Sequence, residues 1–289
     1  MKTGKEEIMR LVFLLAACAS IALVAMICVF LFGNGLPTIG KIGVTEFFLG
    51  ETWRPNNDLY GILPMILGSA YVTLGAIVVG VPIGILTAVF MARFCPDSIY
   101  RFLKPAVELL AGIPSVVYGF FGLIVIVPLI QKLFDLPVGE SGLAGSIVLA
   151  IMALPTIITV TEDAMRNCPR AMREASLALG ASQWQTIYKV VIPYSISGIT
   201  SGVVLGIGRA IGETMAVLMV TGNAAVIPTT ILEPLRTIPA TIAAELGEAP
   251  AGGPHYQALF LLGVVLFFIT LIINFSVEYI SSKGLKRSK

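Results

Sequence analysis

Six long apolar stretches, separated by more polar connections, dictate what this 289-residue chain can become. A helix needs roughly 20 apolar residues to cross a hydrocarbon layer of about 30 Å, and a chain in lipid must satisfy every backbone polar group internally. Five stretches meet that length without a break: 11–32, 66–92, 142–161, 195–220 and 257–280. A sixth, 106–130, is long enough but is interrupted by Gly112-Ile113-Pro114 and by Pro128. With 56% hydrophobic and 12% charged residues, no water-exposed surface can be assembled, since soluble domains carry about 25% charge. The expectation is an all-α membrane protein of six transmembrane helices, a single domain over 1–289.

Several chemistries find no support. Cys18 and Cys28 lie in the first apolar stretch, and Cys95 and Cys168 sit alone in separate loops, so no disulfide or metal spacing is present. His255 stands in a polar connection without acid–base neighbours. The net charge of +2 arises from basic residues scattered among loops and marks no nucleic-acid surface. The first stretch exceeds the roughly 7–15 apolar residues of a secretory signal and lacks a small-residue cleavage site after it. It is expected to be a retained anchor helix.

Fourteen of the 19 lysines and arginines fall on one side if the chain starts in the cytoplasm. They include Lys2, Lys5 and Arg10; Arg93, Arg101 and Lys104; Arg166, Arg170, Arg173 and Lys189; and Lys283, Lys286, Arg287 and Lys289. Lys41, Arg54, Lys132 and Arg236 fall on the other, and Arg209 lies within a span. The positive-inside rule then places both termini in the cytoplasm, which needs an even number of spans. Two long connections face outward. The first, 33–63, carries Phe47, Phe48, Trp53 and Tyr60, expected as interfacial anchors rather than partner contacts. The second, 221–256, holds Glu233, Glu245 and Glu248.

The cytoplasmic segment 162–193 is too polar to span. Pro169 suits a first helical turn, Gly180 a helix stop, and Trp184, Ile187 and Val191 recur at helical spacing. A helix–Gly–helix knob would present a small surface to a soluble partner; an amphipathic loop resting on headgroups is the alternative. Its residues carry a resemblance. Glu174-Ala175-Ser176, Gly180, Val190, Ile192 and Pro193 resemble the EAA loop of ABC importer permeases: Glu-Ala-Ala, three residues, Gly, nine residues, then apolar, any, apolar and Pro. Ser176, Val190 and Ile192 are conservative departures. The resemblance implies a MetI-like permease core whose coupling residues Glu174, Ala175 and Gly180 dock on an ATP-hydrolysing partner. The chain has no phosphate-binding G-x-x-x-x-G-K-[ST] loop of its own, so it is expected to be non-catalytic and without cofactor. Gly206-Ile207-Gly208-Arg209-Ala210-Ile211-Gly212 has the wrong spacing for a dinucleotide fingerprint and lies in a span.

Arg209 and Glu213 stand near the middle of the fifth stretch, where each charge costs at least about 2.5–3.5 kcal/mol and is expected to face the bundle interior. At roughly 100° per residue, Gly198, Gly202, Gly206, Arg209 and Glu213 share an arc of about 80°. That is a small-residue ridge ending in two charges. They form either an i,i+4 pair locking helices, or a cationic fork for a passing anion positioned by Glu213. Glu108, four residues after Lys104, is expected to pair with it. Ser115 and Tyr118, beside the Gly112–Pro114 interruption, line the pathway or form a Pro-kinked packing joint.

Outside the loop, Trp53-Arg54-Pro55, Leu109 to Phe120, Thr161 to Arg166 and above all Gly208-Arg209-Ala210-Ile211-Gly212-Glu213-Thr214-Met215-Ala216-Val217 are similar to the phosphate-importer permeases. Glu213-Thr214-Met215-Ala216 favours their PstC type over the PstA type, which tends to read Glu-Thr-Ala-Pro. The resemblance implies import of inorganic phosphate through the inner (cell) membrane. Its implied partners are a PstA-like second permease, a dimer of ATPase subunits, an external phosphate-binding protein and the surrounding lipid. Substrate-pathway candidates are Arg209, Glu213, Ser115 and Tyr118. A permease for molybdate or sulfate, or a secondary transporter, is the alternative; the latter would be expected to show inverted repeats.

Overall fold

The computed structural model describes the backbone of residues 4–287 and the side-chain surroundings of residues 6–276. The basic residues Lys2, Lys5, Lys283, Lys286, Arg287 and Lys289 lie outside those side-chain surroundings. Among the described residues six helices are long and apolar enough to cross a membrane: Glu6–Ile42, Leu63–Phe94, Ser115–Leu133, Gly142–Arg166, Gln183–Ile211 and Pro254–Ser276. The all-α, six-span architecture is therefore present, with boundaries that differ from expectation for physical reasons.

Helix α1 (Gly4–Ile42) runs on past residue 32, through Gly33, Gly35 and Pro37. Packing outweighs their poor propensity: a Cβ on Gly35 would lie 3.0 Å from the backbone nitrogen of Leu261, so the glycine permits close approach. A short α2 (Val44–Leu49) leads to an antiparallel hairpin, β1 (Trp53–Arg54) and β2 (Leu59–Tyr60), with Trp53 opposite Tyr60. Helix α3 (Leu63–Val89) ends in a π turn, Phe90–Phe94.

The expected 106–130 span is corrected. Residues 97–112 form a separate helix, α4 (Asp97–Gly112), and the span begins only at α5 (Ser115–Phe121), continuing through a π turn to α6 (Val127–Leu133). Pro114 excludes the helical region for Ile113, whose ψ is 128°, and itself sits immediately before the new helix. The charged residues Asp97, Arg101, Lys104 and Glu108 keep α4 off the apolar interior.

Helix α7 (Gly142–Arg166), capped by Ser141, is the most buried span and the axis of the bundle; α1 is the most exposed. After it come α8 (Arg170–Ala178), α9 (Gln183–Thr186), a π turn (Ile187–Val191) and α10 (Ile192–Ile211), which pack back on the bundle. Two ridges of small residues meet α7. On α10, an added Cβ at Gly198 would lie 2.2 Å from the Ala164 Cβ and one at Gly206 2.6 Å from Ile157 Cγ1. On α3, one at Gly84 would lie 2.7 Å from Ile157 Cγ2. Such contact replaces the hydrophobic drive that lipid cannot supply. The Gly198–Gly206 ridge read from sequence is real, and Ser195 secures its start by donating to the Ala164 carbonyl at 3.0 Å.

The chain finishes with α11 (Met215–Val220), the loop 221–237, α12 (Ile238–Glu245) and α13 (Pro254–Arg287). The second half of α1 packs antiparallel on the first half of α13, through Phe30 against Phe260 and Phe32 against Phe267. The bundle thus has a knob end, where α8 and α9 sit, and a loop end. At the loop end the aromatics are not interfacial anchors: Phe47, Trp53 and Tyr60 are buried in a core with Ile62, Ile238 and Leu262.

Candidate functional site

Helix α10 stops at Ile211, and the chain turns through Gly212, Glu213 and Thr214 before α11 begins. The Gly212 and Glu213 amides bond back to the Gly208 and Ala210 carbonyls at 3.4 and 3.3 Å, which closes the helix. Arg209 therefore lies in the last turn of a helix, and Glu213 in a break. This corrects the expectation of one continuous 195–220 span carrying both charges at its middle. It also removes the i,i+4 pair, because no Arg209–Glu213 bridge forms among the described residues. The Glu213 Oε1 accepts instead from the Ala216 amide at 3.2 Å, satisfying one of the orphan donors that begin α11.

Arg209 is half-buried and makes no hydrogen bond or ion pair with the described residues. Its neighbour Ala210 packs in the same buried cluster as Tyr118. Tyr118 is buried, and its hydroxyl donates to the Leu110 carbonyl at 2.7 Å, tying α5 to the last turn of α4 across Ile113 and Pro114. Gly119, next to it, is in contact with α11: a Cβ there would lie 2.9 Å from the Ala216 Cα. Ser115, half-buried one turn earlier, has no hydrogen-bond partner among the described residues. The structure thus brings Arg209 towards Tyr118 and leaves Glu213 capping a helix. Beside the break, a small cavity is lined by Glu213 together with Ser69, Thr73 and Thr237. The buried Thr237 hydroxyl has no partner. A wider groove opens past Gly212 and Thr214 towards α12 and α13. A guanidinium unpaired among the described residues, at a break in a span, suits transient contact with an anion: irregular backbone is tolerated at that depth only where it is buried or lines a cavity.

The knob is the second part of the site. Gly180 has φ +83°, a left-handed conformation that lets α8 end and the chain reverse. Ser182 then opens α9 with a reciprocal capping box to Gln185, and Ser176 and Thr186 link the two arms at 3.0 Å. Glu174, Ala175 and Gly180 are exposed on this turn, and so are Leu179, Trp184 and Tyr188. The knob therefore offers a carboxylate framed by apolar side chains.

Two polar clusters escaped the sequence reading. At the knob end, Glu162 is wholly buried and receives Lys104 Nζ at 2.5 Å, the Tyr100 hydroxyl at 2.9 Å and Arg166 Nε. Lys104 also meets Asp163 at 3.0 Å. The expected Lys104–Glu108 pair does not form, and Glu108 is exposed. At the loop end, Glu245 holds Arg236 Nη1 at 2.6 Å, Trp53 Nε1 at 2.9 Å and His255 Nε2 at 2.9 Å. His255 thus has an acidic partner that its sequence neighbourhood does not reveal. Only the polar character of Glu162 beside an apolar stretch hinted at either cluster.

Comparison with known proteins bears on the family and the fold. Residues 80–284 match the family model described as "Binding-protein-dependent transport system inner membrane component". The chain is 40% identical over 276 residues to the "Probable ABC transporter permease protein YqgH" of Bacillus subtilis (strain 168), covering 93% of this chain and 89% of that protein. It is 36% identical over 283 residues to the phosphate transport system permease protein PstC of Mesorhizobium japonicum, covering 91% and 86%. Among solved structures, the fold is similar to that of the MetNI methionine ABC transporter, with TM-score 0.57 and 19% identity over 78% of this chain and 94% of that one. A bacterial alginate ABC transporter gives 0.59 at 16% identity, covering 97% and 99%.

Proposed function

The chain belongs to the family of binding-protein-dependent transport system inner membrane components, and from that premise we propose that it is the permease subunit that passes inorganic phosphate into the cytoplasm. The family makes it a multi-pass inner-membrane transport protein; the ion, the partners and the residue roles are our reading. The observation that carries it is Arg209, a cation with no carboxylate partner among the described residues, at the break between α10 and α11.

Phosphate at neutral pH carries a charge of about −1.5, as a phosphoryl group does, and is strongly hydrated. It needs a compensating charge in a low-dielectric interior, yet a basic cluster would trap it. A single guanidinium on the side of Tyr118, with Ser115 one turn before it on α5, meets both needs. Glu213 contributes by fixing the α11 end of the break. The phosphate permeases of the PstC type among its relatives support the choice of ion.

The remaining roles follow from position. Both termini and the knob lie in the cytoplasm, on the side favoured by the basic loops. Glu174, Ala175 and Gly180 dock on an ATPase subunit, one of two, which hydrolyses ATP. A PstA-like permease completes the pore, and an external phosphate-binding protein delivers the ion at the loop end. The deciding experiment is phosphate uptake by the reconstituted system. Arg209→Gln nearly abolishes uptake, Arg209→Lys reduces it partially, and adding Glu213→Gln to the first change does not restore it. Wild-type uptake by the double variant overturns the role of Arg209. Uptake of molybdate or sulfate in preference to phosphate overturns the choice of ion.

A further inference from the structure

A pocket of about 210 Å³ lies between the knob and the bundle, lined by Arg93, Arg173, Leu177, Gln183, Thr186 and Ile187. Its walls come from three places: the end of the second span, one face of α8, and the start of the fifth span. Arg173 and Leu177 are one helical turn apart, so they share the face of α8 that looks back at the bundle. The pocket therefore sits behind the knob.

Its chemistry is one-sided. Arg93 and Arg173 both line it, and Arg166 lies close to Arg93, the two reaching the Met91 and Met165 carbonyls across the same helix pair. Arg166 is committed to Glu162 and to the Met91 carbonyl. Arg93 gives one terminal nitrogen to the Met165 carbonyl, and its buried Nε has no partner. Arg173 makes no hydrogen bond or ion pair with the described residues. Among the described residues no carboxylate lines the pocket. Two guanidiniums held side by side without an anion are unfavourable unless something negative joins them, and the planar fork of Arg suits an oxyanion. The open space equals that of several water molecules, enough for a tetrahedral ion with part of its hydration. Phe94 and Trp184, stacked at 6.4 Å and both exposed, flank this region in the manner of interfacial anchors, which puts it at headgroup depth.

We infer that the Arg93–Arg173 pocket binds a phosphate-class anion and thereby fastens the knob to the ends of the second and fifth spans. The phosphoryl group comes from a lipid headgroup or from free phosphate on the knob side. The site is separate from Arg209, which lies at the opposite end of α10, and stands independently of the ion transported.

The test uses the full-length chain with its copurifying subunits, stripped of lipid in detergent. Binding of radiolabelled inorganic phosphate is followed by equilibrium dialysis, and binding of short-chain phosphatidylglycerol by native mass spectrometry. The wild-type protein is expected to saturate with one of them. Arg173→Gln, a change at a half-exposed position, is expected to weaken that binding at least tenfold, and Lys132→Gln, which removes an exposed cation outside the pocket, to leave it unaltered. Saturation by phosphate identifies the free ion as the source; saturation by phosphatidylglycerol alone identifies the headgroup. The site is overturned if neither binds, if Arg173→Gln binds as the wild type does, or if Lys132→Gln weakens binding as much as Arg173→Gln does. Loss of a copurifying ATPase subunit from Arg173→Gln, without phosphate or lipid binding to the wild type, would assign the two arginines to an acidic protein side chain instead.

Discussion

Lys104 and Glu162, 58 residues apart, meet at 2.5 Å and join the amphipathic helix α4 to the central helix α7. Glu162 is wholly buried and Lys104 is 18% exposed in its side chain, so the pair is shielded from salt. Breaking a buried pair costs about 3–5 kcal/mol, and the residual exposure of Lys104 puts Glu162→Leu near 3 kcal/mol. A clear fall in Tm is expected, whereas Glu108→Leu, on the solvent side of α4, should shift it little. Equal shifts would disprove the assignment.

The same lysine gives a pH signature. Burial alone would lower its pKa, but the hydrogen bonds and charges of Glu162 and Asp163 more than offset this and hold it above the ordinary lysine value. A raised lysine stabilises fully below its unfolded pKa of about 10.4, and that stability is lost as pH rises through the folded value. The stabilisation from this pair should therefore be complete and independent of pH around neutrality, and decline above about pH 10.4. Lys104→Met should lack that alkaline component.

Gly180 carries the reversal between α8 and α9 at φ +83°, and nothing lies within 4 Å of an added Cβ. A side chain there meets no clash, only backbone strain of about 1–2 kcal/mol. Gly180→Leu should remain in the membrane at wild-type level while ATP hydrolysis continues without matching phosphate uptake. Tightly coupled transport by this variant would remove the knob from the coupling path.

Cys95 is partly exposed at the knob end, whereas Cys168 is 4% exposed. In intact cells Cys95 should react with a membrane-permeant thiol reagent and resist an impermeant one. Cys168 should react slowly with both until the protein is denatured. Rapid labelling of Cys95 from outside would invert the proposed orientation.

At the loop end, Glu245 is the shared acceptor for Trp53, Arg236 and His255. Glu245→Ala leaves Arg236 with only the Asn223 carbonyl and the Trp53 indole N–H without a partner, at about 2–4 kcal/mol. Limited proteolysis should then cut the 221–237 loop faster, with the knob end unaffected. Unchanged cleavage would show that the cluster does not hold the loop.

What was legible in the sequence was local. Apolar length gave the spans, Gly180 the reversal in the knob, and glycine spacing the ridge from Gly198 to Gly206. The clusters around Glu162 and Glu245 were not legible, because Trp53 lies 192 residues from its acceptor and nothing local marks the pair. The Arg209–Glu213 reading failed for a different reason. It extended the 3.6-residue period through Gly212, where the helix ends, so two charges four positions apart do not share a face. The clue present was Gly212 itself, a residue that commonly stops a helix. Phe47, Trp53 and Tyr60 were misplaced because aromatics next to a span look alike whether they sit in headgroups or fold under a hairpin.

Three of the membrane-crossing helices contain a π turn: Phe90–Phe94, Gly122–Ile126 and Ile187–Val191. Each turn holds about one residue more than an α turn, and each residue corresponds to about 100° of azimuth. The turn at Ile187–Val191 stands between the knob and α10, so the angular phase of the knob relative to α10 is set by that surplus residue. Slack of this kind can migrate along a helix without opening more than one turn at a time. A push on the knob then need not slide α10 lengthwise. It can arrive at the Arg209 end as a twist, with Gly212 as the point where the twist is released.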